Sequence, residues 1–372
     1  MITCINSVGG RHIKMKRILF IVSVDKWTEG FYKFINKNFL KQENWFVFYG
    51  SIRNYAFLTE NDNCFWCESF RELKKQRKVY EYARTCDAII YSGIFGCEKS
   101  VLSFGFQSLK KSYFQLWGGD YSCLKNLHQM NAREKLSMYF RKFVLRNAKA
   151  VINLIPNEYD ELNQLCRIKG KHLIAPMPDD GTIPGLLRKL HGTIKNNNPI
   201  KIQVGNSATP TNCHTDILEK LMKFVDEDIT IICPLSYGEN EYAEQIDKLG
   251  KKLFGNKFVA LRDYMSLKEY FNLLAEVKVA IFNNDRQQAM GNINAAAALG
   301  CKVYIRRDTP MWDAYAEKGF SFSDVSDIED MEFNSFINIS EEEKTKNFNS
   351  FNEYYDESVA VKAWKNVFET IE

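Results

Sequence analysis

Long apolar runs are what this chain most clearly lacks. No stretch approaches the ~20 residues that a membrane-spanning helix requires. The first residues hold no signal-peptide core either, because Arg11, Lys14, Lys16 and Arg17 interrupt the apolar positions. Residues 1–14 therefore read as an upstream extension or a misassigned start, ahead of a first strand at Ile18 to Val24. Histidine is scarce, at five residues, and the ten cysteines give a single C-x-x-C, Cys64 and Cys67. With no second pair at ligand spacing, a zinc site is not expected. Cys86, Cys233 and Cys301 fall beside or within strand-like segments, as small core residues of a protein in a reducing compartment do. An acidic D-x-D after a strand is missing too. Asp226-Glu227-Asp228 precedes the apolar run Ile229 to Cys233 rather than following one, and reads as a turn. No metal and no separate cofactor are called for.

What is present points to two domains, since single cores rarely grow beyond roughly 250–300 residues and the chain has 372. A hydrophobic share of 45% and a charged share of 26% are those of a globular protein. The net charge of +4 conceals an asymmetry. Residues 1–190 hold 30 Lys+Arg against 17 Asp+Glu, a net of +13, so residues 191–372 carry 20 against 29, a net of −9. The cations concentrate at Arg71–Lys78 and in the helical stretch 124–149, where Arg141, Lys142, Arg146 and Lys149 alternate with aromatic and aliphatic residues. Nucleic acid and an anionic membrane surface both answer such charge. No base-reading motif accompanies it, so a peripheral contact with the inner face of the cell membrane is expected and nucleic acid is not; a solvated basic face is the alternative.

Strand-like runs alternate with helical patterns in both halves. The first half gives strands at Ile18–Val24, Trp45–Tyr49, Ala88–Tyr91, Ser112–Leu116, Ala150–Leu154 and Leu173–Ala175, with helices at Thr28–Asn38, Glu98–Leu109 and Leu124–Asn147. Residues 176–198 break the pattern with Pro, Gly and Asn and read as a linker carrying a short helix at Leu186–His191. In the second half, three strands each end in a small or polar loop that feeds a helix. Ile200 to Val204 runs into Gly205-Asn206-Ser207, with Thr211 or Asn212 as the cap of the next helix. Ile229 to Cys233 runs into Pro234-Leu235-Ser236-Tyr237-Gly238. Val277 to Phe282 runs into Asn283-Asn284-Asp285-Arg286-Gln287-Gln288, after which Gly291-Asn292 opens a helix with four consecutive alanines, Ala295–Ala298.

In an open parallel sheet such loops line one edge, where ligands bind. A helix N-terminus offers unpaired N–H groups and a positive dipole end, and a forked guanidinium suits phosphate. Gly205, Asn206, Ser207, Arg286, Gln287, Gln288, Gly291 and Asn292 are thus candidates for holding a nucleotide diphosphate, and Tyr237 for stacking on or edging its base. Arg306 and Arg307 could reach phosphate or pair with Asp308 or Asp313. His214, at the start of a helix, could touch phosphate or be structural.

The tracts VGNS, HTDILEKL, ICPLSYGENEYAEQI, LAEVKVAIFNNDRQQAMGNI and LGCKVYIRRDTPMW, in that order, resemble the enterobacterial-common-antigen family of 4-acetamido-4,6-dideoxygalactose transferases, glycosyltransferase family 56. Asp25-Lys26-Trp27-Thr28-Glu29-Gly30-Phe31 and Leu116-Trp117-Gly118-Gly119-Asp120 are similar as well, so the likeness spans about residues 17–320. Ala289-Met290 and Asn292-Ile293 depart from the family's pattern. The resemblance implies a dTDP-sugar donor, a polyprenyl-linked saccharide acceptor and a GT-B architecture of two Rossmann-like doubly wound domains facing across a cleft. On that reading residues 15–178 form the acceptor domain, 179–198 the linker and 199–350 the nucleotide-sugar domain, while 351–372 form a terminal helix that crosses back. A metal-independent transferase leaves the diphosphate to Arg286 and the helix N-terminus. The acceptor hydroxyl wants a general base from the first domain. Asp120 is the first candidate, beside two glycines and Trp117, with Asp25 and Glu29 after it, although Asp120 could equally be a helix cap. Other readings left open are a UDP- or GDP-sugar donor and a non-catalytic nucleotide-sugar binder.

Overall fold

A computed structural model describes residues 15–25, 28–50, 63–68, 70–73, 75–94, 98–193 and 198–371. Lys26, Trp27, Lys74 and residues 1–14 lie outside that set, so the proposed extension and parts of two motifs are not described.

The first sheet has seven parallel strands: β1 Lys16–Ser23, β2 Gln42–Tyr49, β3 Cys64–Cys67, β4 Ala88–Ser92, β5 Ser112–Leu116, β6 Ala150–Asn153 and β7 Lys171–Ile174. Their order is β3-β2-β1-β4-β5-β6-β7. A six-stranded parallel sheet follows: β8 Ile200–Val204, β9 Ile229–Pro234, β10 Phe258–Leu261, β11 Val277–Phe282, β12 Lys302–Ile305 and β13 Ser323–Asp324, in the order β10-β9-β8-β11-β12-β13. Helices cover both faces of each sheet, so the central strands show no polar alternation. Ile18 to Val22 of β1 are all buried, three facing one core and two the other. The strand order reverses between β1 and β4 and again between β8 and β11, and the loops leaving these strands frame the crevices of the two sheets.

β3 is the Cys64-Phe65-Trp66-Cys67 segment itself. The C-x-x-C pair is an edge strand with both thiols buried, and burial pushes Cys67 up to about 12. The helical stretch expected from residue 124 begins instead at Ala132, with Asn131 accepting from the Glu134 N–H at 3.0 Å; a 3-10 segment, Cys123–Gln129, precedes it. Residues 182–190, placed in the linker by their composition, form a helix whose Ile183 and Leu187 pack into the second domain's core. The four alanines occupy the helix Met290–Ala298, all fully buried, with Phe351 of the helix Glu341–Tyr354 in the same core.

The chain then returns to the first sheet. In the helix Glu357–Glu369, Trp364, Val367 and Phe368 pack with Phe20, Phe31 and Tyr113, and the Trp364 indole N–H donates to the Pro176 carbonyl at 3.0 Å.

Candidate functional site

A cavity of about 320 Å3 opens between the two sheets. The loop after β8 supplies Asn206, Ser207 and Thr209, the loop after β9 supplies Tyr237, and the segment after β11 supplies Arg286 to Asn292. Trp117, Gly118 and Gly119 face them from the end of β5, and Leu154 and Met177 add to that side. Eight of the nine residues expected from the sequence to hold the nucleotide therefore line one space: Asn206, Ser207, Tyr237, Arg286, Gln287, Gln288, Gly291 and Asn292.

The loops are tied to one another by side-chain amides. The Thr211 hydroxyl donates to Gln288 Oε1 at 2.6 Å, and Gln288 Nε2 donates to Asn206 Oδ1 at 3.2 Å. Asn206 Nδ2 in turn donates to the Tyr237 hydroxyl at 2.8 Å. This chain orients the exposed Tyr237 ring at the cavity's rim while holding its oxygen. Asn212 is no helix cap. Its Oδ1 accepts from the Asn206 N–H at 3.0 Å and from Asn284 Nδ2 at 3.2 Å, and its Nδ2 donates to Ser207 Oγ at 3.1 Å. The helix begins after Cys213, in the left-handed region at φ 48°. Gly205 lies outside the lining. Its φ of +70°, and His214 Nε2 only 2.3 Å from where a Cβ would stand, explain the glycine by packing. His214 is fully buried beside Tyr242, and desolvation pulls its imidazole down to about 4, so it is a neutral structural residue.

The helix Met290–Ala298 begins in the cavity wall. Its first internal bonds run from the Asn292 and Ile293 N–H groups to the Ala289 carbonyl, at 2.8 and 2.9 Å, so the amides before them take no partner from the helix. Ala289 holds φ +61°, a costly conformation for a residue with a Cβ, and such strain gathers where backbone groups are aimed at ligands. One turn in, Asn294 lies in the lining almost wholly buried, and neither of its amide atoms makes a well-formed hydrogen bond.

Arg286 stands at this helix start. Its Nη1 donates to the Gln287 carbonyl at 3.0 Å, and among the described residues no carboxylate forms an ion pair with it. Burial lowers its affinity for the proton, with Asp285, Tyr121 and Asp120 opposing more weakly. A half-buried guanidinium whose neighbouring carboxylates form no direct ion pair with it gains from an anion that joins it. Arg306 and Arg307 differ in this respect. The first is paired with Asp308 through two bonds of 2.8 and 2.6 Å; the second pairs with Asp324 at 3.1 Å and covers the Trp312 ring.

Two groups have other work than the sequence suggested. Gln287 is turned toward the first domain, where its Oε1 accepts from the Gly118 N–H at 2.8 Å, so it joins the two halves rather than presenting its amide to a ligand. Asp120 is fully buried, with Oδ1 accepting from the Ile94 N–H at 2.9 Å and Oδ2 from the Trp117 N–H at 2.8 Å. It is the cap that folds the Trp117–Asp120 turn, and with both oxygens held by backbone amides it has no access to an acceptor hydroxyl. Asp25 sits at the start of the helix Thr28–Asn38, bonded to the Thr28 hydroxyl at 3.1 Å, and Glu29 pairs with Lys33 at 2.6 Å; neither lines the cavity. The lining contains no Asp or Glu among the described residues, and no cluster of three His, Cys, Asp or Glu suited to a metal occurs among them.

Sequence reasoning missed Tyr354, Tyr355 and Asn294. The tyrosines enter the lining at the junction of the last two helices, 60 residues beyond Asn294, the nearest other lining residue, and nothing local marks them. It also missed Glu158, behind the Trp117 turn, fully buried with Oε1 accepting from the Tyr121 hydroxyl at 2.9 Å. Desolvation pushes Glu158 up to about 7. Because the folded-state value is raised, Glu158 contributes stability that is complete below about pH 4.5 and is lost as pH rises through about 7. Glu158→Gln, which keeps an acceptor for Tyr121, should therefore raise the wild-type stability measured by urea unfolding at pH 8 and gain much less at pH 4.5. An equal effect at both pH values would show that Glu158 does not titrate in this window.

Two parallel-sheet domains with a cleft at their strand ends define a class, the GT-B glycosyltransferases, and solved structures of that fold match nearly the whole chain. Anabaena HepE in complex with UDP and glucose matches at 13% identity and a TM-score of 0.66, covering 95% of this chain and 100% of its own. A glycosyltransferase from Rickettsia africae matches at 12% identity and a TM-score of 0.63, over 96% and 99% of the two chains. A trehalose 6-phosphate synthase from Burkholderia multivorans matches at 8% and 0.59, over 96% and 97%. The family model of glycosyl transferase group 56, described as 4-alpha-L-fucosyltransferase, matches residues 105–342. The chain is a glycosyltransferase and belongs to that family.

Proposed function

We propose that the protein moves a 4-acetamido-deoxy or related deoxy sugar from a nucleoside diphosphate donor, dTDP-linked by preference, to a polyprenyl-linked saccharide at the inner membrane surface. The observation that carries the donor side is Arg286, half-buried with no ion-pair partner among the described residues, beside a helix whose first residues, Met290 and Gly291, line the cavity. That pairing suits the charge that grows on a departing diphosphate. Tyr237, held by Asn206, offers its ring to the base. Trp117 and Gly119 stand opposite, where the sugar and the acceptor would meet. UDP is the second donor to consider, because HepE of the same fold is described in complex with UDP and glucose.

Because the lining offers no carboxylate, a general base for the acceptor is not assigned to Asp120, Asp25 or Glu29. The reading instead expects the departing diphosphate, once stabilised, to be the nearest base for the acceptor proton. No helix of the described residues is long and apolar enough to cross a membrane, which agrees with attachment at the surface.

Thermal unfolding in the presence of dTDP, UDP and GDP separates the donors. Dissociation at a hundredth of the ligand concentration stabilises by about 2.7 kcal/mol, so the true nucleotide should stand well apart from the other two. Transfer of label from the matching sugar nucleotide to a polyprenyl-linked acceptor completes the test. No stabilisation by any of the three nucleotides would remove the donor reading.

A further inference from the structure

The outer side of the first domain carries apolar side chains that the described chain leaves open. The helix Ala132–Asn147 buries Arg141, Val144 and Leu145 and turns Leu136, Tyr139 and Phe143 outward, at 71%, 61% and 46% exposure. These positions recur at three and four residues and so form one stripe along the helix. Phe106, 54% exposed, lies beside them with its ring centroid 5.8 Å from that of Phe143, and Leu102, 57% exposed, is on the preceding helix, Glu98–Phe104. Exposed cations bound the stripe: Arg133 three residues before Leu136, Arg146 three residues after Phe143, and Lys110 on the turn that holds Phe106. Single exposed apolar residues are ordinary, whereas Leu136, Tyr139, Phe143 and Phe106 together with a cationic border mark a surface that meets something apolar and anionic.

We propose that this patch seats the protein in an anionic phospholipid bilayer. Leu136, Tyr139, Phe143 and Phe106 enter the layer between headgroups and acyl chains, and Arg133, Arg146 and Lys110 meet the lipid phosphates. A bilayer fits better than a protein partner because both requirements, a flat apolar surface and a continuous negative border, are met by one material, and the first half's net charge of +13 draws the protein to it. Arg141, counted among the surface cations from sequence alone, has no part in this. It is buried, donates to the Asp120 carbonyl at 3.0 Å and pairs with Glu98 at 3.3 Å.

The inference deepens the membrane part of the reading above, yet it is measured without donor, acceptor or turnover, so the two stand or fall separately. Flotation with phosphatidylcholine vesicles, with and without phosphatidylglycerol, compares the wild type with Phe106→Ser/Phe143→Ser and with Arg133→Glu/Arg146→Glu. The wild type should float with the anionic vesicles, and each double variant should lower the partition at least roughly tenfold, the factor that 1.4 kcal/mol makes. High salt, which shortens the reach of charge from about 8–10 Å to about 3 Å, should erase the effect of the arginine variant and leave that of the phenylalanine variant. Tyr139→Trp should be quenched by vesicles whose acyl chains carry bromine. Thermal unfolding without ligand should stay as in the wild type throughout, which shows that the variants fold. Absence of flotation, flotation of the phenylalanine variant at the wild-type level, or a wild-type dimer in sedimentation that this variant dissolves would each overturn the proposal, the last by assigning the patch to a second copy.

Discussion

Arg286→Ala should reduce turnover by about a hundredfold to a thousandfold, the range found when one donor to a developing oxyanion is removed. Among the described residues the guanidinium holds only the Gln287 carbonyl and has no ion-pair partner, so its loss leaves little of the fold unsupported. The unfolding temperature should therefore move little. Arg286→Lys should recover part of the activity, because a point charge replaces a fork that grips two phosphate oxygens. Turnover should also survive EDTA, since the guanidinium and the amides of the helix Met290–Ala298 would stabilise the leaving diphosphate. Steady-state kinetics of the three proteins, with and without chelator, check this. Wild-type turnover in Arg286→Ala, or activity abolished by EDTA and restored by magnesium, would remove Arg286 from the centre of the mechanism.

A comparable loss is expected from a single methyl group at Gly118. A Cβ there would stand 2.2 Å from the Gln287 backbone oxygen and 2.6 Å from its Oε1, distances that force one domain away from the other. The atom in the way is backbone, so no side-chain rotation relieves it. The Gly118 N–H would lose its acceptor at the same stroke, and the Trp117–Gly119 turn would withdraw from Arg286 and the helix start. Displacement of reacting groups by about 1 Å costs on the order of a hundredfold in rate. Gly118→Ala should therefore lose transfer by that order while losing less of its nucleotide affinity, because the nearest atoms the new methyl meets in the second domain all belong to Gln287. Gln287→Ala should show a milder form of the same split. Unchanged transfer in Gly118→Ala, measured beside nucleotide affinity by calorimetry, would mean that the observed approach of the domains is not the one used in the reaction.

Much of this architecture can be read along the chain, for a physical reason. Central parallel strands are buried on both faces, so Ile18 to Val22 and Val279 to Phe282 appear as unbroken apolar runs. Three of the four edge strands have no such signature. Cys64–Cys67, Phe258–Leu261 and Ser323–Asp324 are two to four residues long and pair on one side only, and none stands out from the loops around it. The loops of the second domain are legible because each follows a legible strand. What those side chains do there is another matter. Gln287 and Gln288 are adjacent and identical, yet one amide reaches across to Gly118 and the other ties Thr211 to Asn206. Asp120 looks like a base beside two glycines until the Ile94 and Trp117 amides are seen to occupy its oxygens. Tyr354 and Tyr355 reach the cavity only because the chain doubles back, and no local pattern encodes that.

The return of the last helix to the first sheet also sets a timetable for synthesis. Lys16, at the start of β1, donates to the Phe368 carbonyl at 3.0 Å and also to that of Ile371, partners 352 and 355 positions further on. Phe20 and Phe31 likewise wait for Phe368 and Trp364. At roughly 5–20 residues per second, the ribosome takes on the order of tens of seconds to deliver them. Through that interval one face of the nascent sheet, rich in phenylalanine, lacks its covering helix and is a natural client for chaperones. The second sheet has its own core in hand by about Phe351, so the domain encoded first is the one finished last.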